Sequence, residues 1–141
     1  MNSRYGSIEE MIKSEGQAII APVGKSMLPF LKEGRDLVLL KAPTDSLQKY
    51  DVVLYKNEIE GYILHRIIRI NGSDYIICGD NSSIWERGYS SDDIIAVVDK
   101  IIRNGKQIDC HCFKNKIYER MWCGSIIKRA IFKLHRILKS V

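Results

Sequence analysis

A chain of 141 residues with 45% hydrophobic content should fold as one domain with a core of its own. The net charge of +5 is unevenly spread: from Lys114 to Val141 eight Lys or Arg face one acid, Glu119, a net of +7 that leaves −2 for everything before it. No run approaches the roughly 18 apolar residues of a membrane span, and the amino terminus carries no signal-peptide pattern. A cytoplasmic protein, or one peripheral at the inner membrane face, is therefore expected. Four cysteines (Cys78, Cys110, Cys112 and Cys123) do not form a secreted disulfide framework at this spacing. Cys110-His111-Cys112 is weak as a metal half-site, because on a strand the two thiols share a face while His111 points away and no second ligand pair follows. Free thiols, no metal and no cofactor are expected.

Taken in order, Ser7 to Glu15 predicts a short helix. Ser7 is its N-cap, with Glu10 three residues on to complete a capping box. Ile8, Met11 and Ile12 form its stripe and Gly16 its stop. The residues ahead of Ala18 are too few for a DNA-reading helix-turn-helix. From Gln17 to Asp109 short apolar or β-branched runs alternate with turn residues. The runs are Ala18–Val23, Leu37–Leu40, Val52–Tyr55, Tyr62–Ile70, Tyr75–Cys78, Ile94–Val98 and Lys100–Arg103. Between them come Pro43-Thr44-Asp45, Asn57-Glu58, Asn71-Gly72-Ser73, Asn81-Ser82-Ser83 and Asn104-Gly105-Lys106, two of which are hairpin signals. Seven or so short strands at this spacing predict a mainly β, coiled and barrel-like domain over residues 1–113.

Residues 114–141 predict a basic, amphipathic helical tail. Ile117 and Met121, and then Ile127, Ile131, Leu134, Leu138 and Val141, recur at steps of three or four residues, and Lys128, Arg129, Lys133, Arg136 and Lys139 fill much of the rest. Gly124 divides the tail into two pieces. Such a helix either lies on an anionic membrane surface, with Trp122 at one end, or packs its stripe on the β domain and leaves the charges solvated. Nucleic-acid binding has neither aromatic interleaving nor a motif behind it.

Two stretches carry chemistry. In A-P-V-G-K-S-M-L-P-F-L the apolar run ends at Gly24, and Ser26 sits on the turn between Lys25 and Met27. A glycine two residues ahead lets backbone amides crowd the hydroxyl, as a nucleophile with an oxyanion hole requires; the same turn also serves as plain punctuation between strands. In G-Y-I-L-H-R-I-I-R-I a histidine, His65, stands mid-strand, and Gly79-Asp80-Asn81 follows. A serine hydroxyl needs a base within reach, and an imidazole suits the role.

The ordered set G-x-S-M-x-P-x-L-x-x-G-x-D, then H-R-I, then G-D-N, spanning Ala18 to Ile102, resembles the S24/S26 serine peptidases, the superfamily of signal peptidases and self-cleaving repressors. Most bacterial members pair the serine with a lysine; His65 at the matching position resembles the archaeal and endoplasmic-reticulum type. The resemblance implies an endopeptidase with Ser26 as nucleophile and His65 as base, cutting leader or signal-like segments bound in extended form along the strand before the serine. It implies the Ser26 amide as an oxyanion donor, with Gly24 where some relatives carry a second, hydroxyl donor. Asp80, in the G-D-N turn, ranks first as the acid that orients His65. Glu86 ranks close behind, standing where histidine-type members have an aspartate. With Gly24, Lys25 and Met27 frame the serine as the oxyanion- and substrate-binding residues, Met27 shaping a pocket wall or core and Lys25 facing solvent. A catalytically silent peptide-binding relative and a self-cleaving regulator are the alternatives.

Overall fold

The structure, a computed structural model, describes residues 4–43, 46–123 and 125–141. The turn expected at Pro43-Thr44-Asp45 lies partly, and the break at Gly124 wholly, outside the described residues. The chain opens with α1 (Ile8–Glu15). The Ser7 hydroxyl accepts the Glu10 amide at 3.2 Å, and Gly16, left-handed at φ 76°, returns its amide to the Ile12 carbonyl at 2.8 Å. The Glu10 carboxylate accepts from the Gly6 amide at 2.9 Å, which moves the second half of the capping box out by one residue.

Eight antiparallel strands follow: β1 (Gln17–Ile20), β2 (Asp36–Lys41), β3 (Val52–Asn57), β4 (Gly61–Asn71), β5 (Asp74–Cys78), β6 (Glu86–Tyr89), β7 (Ile94–Arg103) and β8 (Lys106–Asp109). Their order is β1-β2-β7-β3-β4-β5-β6, with β8 beside β7, so the protein is mainly β. The long β7 carries β2 on one edge and shares the other between β3 and β8. Three features differ from the sequence expectation. The runs on either side of Asp99 form one strand, because the register against β2 shifts between Leu39 and Leu40 and leaves Asp99 as the extra residue of a bulge. β1 stops at Ile20, three residues short of Val23; Pro22 has no amide to offer a ladder, and the chain leaves the sheet there. β6 was not legible, since Glu-Arg-Gly-Tyr has no apolar alternation. The β7–β8 turn follows the Asn-Gly signal, with Asn104 and Gly105 both left-handed at φ 53° and 73°.

β3 explains how the layers sit. Val52 and Leu54 point into a core with Val38, Leu40, Ala96, Val98, Met27 and Leu31, while Val53 and Tyr55 point into a second with Ile63, Ile67 and Ile77. Both faces are covered, so the strand reads as an unbroken apolar run rather than an alternating one. Asp36 closes one end of the first core. Burial pushes its carboxyl up, but Arg103, Arg35 and the Lys32 amide outweigh burial and bring it down to about 2. A carboxyl depressed in the folded state stabilises fully above its ordinary value of 3.8 and loses that contribution as pH falls toward 2. Stability is expected to fall across that window, and Asp36→Asn to flatten the decline in acid-unfolding curves followed by circular dichroism.

The basic tail divides into two helices with different surroundings. α2 (Phe113–Met121) belongs to the body: Tyr118 stacks on Phe30 with centroids 5.5 Å apart, Glu119 is buried, and the Trp122 indole donates to the Asp80 carbonyl at 2.8 Å. The body therefore continues past residue 113. α3 (Ile126–Lys139) touches the body near its start, through Lys128 and Arg129. Its stripe is exposed, so it does not pack on the β domain. No helix of the described residues is long and apolar enough to cross a membrane.

Candidate active site

Beyond β1 the chain makes a loop that holds Ser26 at the surface. Gly24 turns it with φ 89°, a conformation strained for any residue with a Cβ, and its amide donates to the Glu33 carboxylate at 2.9 Å. The Leu28 and Leu31 amides bond back to the Lys25 and Met27 carbonyls at 3.2 and 2.9 Å. Met27, Phe30 and Leu31 are buried in the first core, so the loop is anchored beneath while Ser26 stays exposed. The G-D-N turn clamps it from the side. The Asn81 amide donates to the Ser26 carbonyl at 2.8 Å, and the Asn81 side-chain amide to the Lys25 carbonyl at 3.1 Å.

His65 stands on β4, opposite Val53 of β3. Its Nδ1 lies 2.8 Å from Glu86 Oε2 and 2.9 Å from the Tyr55 hydroxyl, and that hydroxyl donates to the same Oε2 at 2.5 Å. Tyr55 spends its single proton on Glu86; burial, then Glu86, push the phenol upward and keep it a neutral donor. The ring must therefore supply the other proton, which places N–H at Nδ1, and in the neutral imidazole the lone pair is then on Nε2. Nε2 faces the serine loop. A Cβ built on Gly79 would stand 3.0 Å from Nε2 and 2.7 Å from the Ser26 carbonyl oxygen, so those two atoms are no further apart than the two distances together. Ser26, His65 and Glu86 line one open cleft of about 820 Å³, with Pro22, Ile63 and Ile84 among its walls. The Ser26 hydroxyl makes no hydrogen bond to the ring among the described residues.

No protein-family model matches this chain, and no curated protein matches it.

Of the two acids weighed for His65, the structure brings Glu86 to it and takes Asp80 elsewhere. Asp80 is buried and accepts from Nε and Nη2 of Arg66, at 2.9 and 2.8 Å, and from the Tyr118 hydroxyl at 2.9 Å. Strand alternation is the reason. His65 and Arg66 are neighbours on β4 and so face opposite sides of the sheet; just past Cys78, which pairs with Arg66, Gly79 meets the imidazole and Asp80 the guanidinium. Asp80 thereby fixes the turn whose Asn81 clamps the serine loop. Lys25 is exposed and enters only through its carbonyl, and Met27 is a core residue. Among the described residues no group of three or more His, Cys, Asp or Glu side chains could hold a metal, and the His111 imidazole instead lies 3.1 Å from Asp51.

The sequence marks Arg66 and Gly79 as motif residues without a role, and does not mark Tyr55 at all. Tyr55 hides in an apolar run with nothing to mark its hydroxyl, whereas Arg66 inside an apolar strand was a usable signal, since a buried cation must have a buried acid. Gly79→Ala would force a methyl against a backbone oxygen that cannot swing aside. It is expected to displace the serine loop and slow acylation of Ser26 about a hundredfold. Stopped-flow measurement with an activated ester would check this.

Proposed function

We propose that this chain is a serine endopeptidase of the S24/S26 type, with the coiled, barrel-like β fold of that superfamily, in which Ser26 attacks, His65 moves the proton and Glu86 orients the ring. One observation carries the reading: the imidazole is held by Glu86 through Nδ1 while its lone-pair nitrogen faces the serine loop across a gap that only glycine fits. Substrate binding needs to bring the hydroxyl and Nε2 together, because the resting site lacks that bond; such bonds commonly tighten on complex formation.

In this mechanism His65 Nε2 takes the Ser26 proton as the oxygen attacks the scissile carbonyl. Glu86 steadies the imidazolium so formed, and the Ser26 amide meets the developing oxyanion. The Gly24 amide is already engaged by Glu33, so it is not the second donor in this state. Nε2 then gives its proton to the leaving amine, and water, deprotonated by the same nitrogen, cleaves the acyl ester. Substrate enters as an extended peptide along β1, which ends the strand order and leads into the serine loop. Leader or signal-like segments of a peptide or protein are the proposed substrates.

The unbonded serine hydroxyl favours one second reading, a silent module that binds extended peptides without cutting them. A p-nitrophenyl ester separates the two. The peptidase reading expects a burst of nitrophenol with an acyl group found on Ser26 by mass spectrometry. Absence of a burst, or an acyl group on another residue only, would leave the silent module.

A further inference from the structure

We propose that α3 docks the protein on an anionic membrane surface, with its apolar stripe in the lipid interface and its basic side chains among the headgroup phosphates. This surface is independent of the chemistry at Ser26. Ile127, Ile131, Leu134 and Leu138 follow one another at three- and four-residue steps, and all are about half exposed or more, at 65%, 47%, 57% and 65%. A helix normally turns such a stripe toward its own core. Here it is a different face that meets the body: Lys128, 3% exposed, donates to the Gly79 carbonyl at 3.0 Å, and Phe132 lies one turn beyond it, half-buried. Arg129 lies over the Trp85 ring at 4.0 Å. With the helix pinned by that face, the apolar stripe points outward.

Charge selects the occupant. α3 holds Lys128, Arg129, Lys133, Arg136 and Lys139 and no acid at all, and Arg69 and Arg87 of the body gather with Arg129 around Trp85 at the root of the helix. Two copies meeting stripe to stripe would bring these cations together with no counter-charge, whereas a bilayer bearing phosphatidylglycerol offers apolar depth and negative charge at once. Because Lys128 holds the carbonyl of the residue wedged between Ser26 and His65, the docking helix and the cleft form one connected piece.

The test is co-sedimentation of the full chain with vesicles of phosphatidylglycerol in phosphatidylcholine, and with phosphatidylcholine alone. The chain is expected to pellet with the first, to remain in the supernatant with the second, and to be released by salt. Leu134→Glu, on an exposed site that leaves the fold unchanged by circular dichroism, is expected to abolish pelleting. Replacing Lys133, Arg136 and Lys139 by glutamine is expected to weaken partitioning roughly a hundredfold. Three results would overturn the proposal: no pelleting with anionic vesicles, pelleting indifferent to Leu134→Glu, or a concentration-dependent dimer in sedimentation velocity that Leu134→Glu dissolves.

Discussion

His65→Ala is expected to cut the rate at which an activated ester acylates Ser26 by about 10²–10⁴-fold, the usual worth of a positioned general base. Among the described residues, Lys25 is exposed and Lys128 is occupied at the Gly79 carbonyl, so neither is held at the serine as the imidazole is. The fold should persist, since His65 contributes a side chain at the cleft rim and its strand pairing with Val53 is made by backbone alone. Glu86→Gln should give a smaller loss. Its amide oxygen still accepts from Nδ1, but the negative charge that steadies the imidazolium in the proposed mechanism is gone. Tyr55→Phe separates orientation from charge, because it removes the hydroxyl shared by His65 and Glu86 and leaves both in place. Burst kinetics on the three variants, with Ser26→Ala as the zero, check the order. Equal rates for wild type and His65→Ala would remove the base from the mechanism.

Arg66→Met carries the largest expected cost in stability, about 3–5 kcal/mol, the price of leaving buried charge without its partner. The guanidinium is fully buried. It bonds Asp80 through two nitrogens, Glu119 at 3.1 Å and the Tyr50 carbonyl at 2.9 Å, and it lies 4.4 Å from the Phe30 ring centre. It thus ties β4 to α2 and to the G-D-N turn. Removing it leaves two carboxylates without the cation that faces them, for a fall in melting temperature of about 10–20 °C by calorimetry. The pH dependence gives a sign. Burial already pushes the Glu119 carboxyl up, with Arg66 as its main opposing influence. Without Arg66 the carboxyl rises further. A carboxyl raised in the folded state costs stability as pH climbs through its folded value, so the deficit of Arg66→Met should narrow when the melt is moved from neutral to mildly acid solution. A deficit that widened on acidification would show that the ion pairs do not govern this core.

How much of the site was readable depended on whether a residue acts through local sequence or through a distant partner. The Ser26 loop announced itself, because a glycine two residues before the serine, a proline and two flanking apolar runs are local devices. His65 in mid-strand was visible for the same reason. Its acid was not. Asp80 sits closer in sequence and in a recognisable turn, yet the alternation of β4 sends it to Arg66, and Glu86 arrives from a strand with no apolar pattern.

The amino-acid sequence by itself determined the mainly β class, α1 with its caps, the Asn-Gly hairpin and the amphipathic character of the tail, since each follows from periodicity and backbone preference within a few residues. Only the tertiary structure decided that α2 belongs to the body while α3 turns its apolar stripe outward, that Asp99 bulges rather than breaks β7, and that Glu86 and Tyr55 meet at one imidazole nitrogen. Those outcomes depend on which face of one strand meets which turn of another. No local pattern encodes that, because side-chain pairing across a sheet is set by register between segments far apart in the chain.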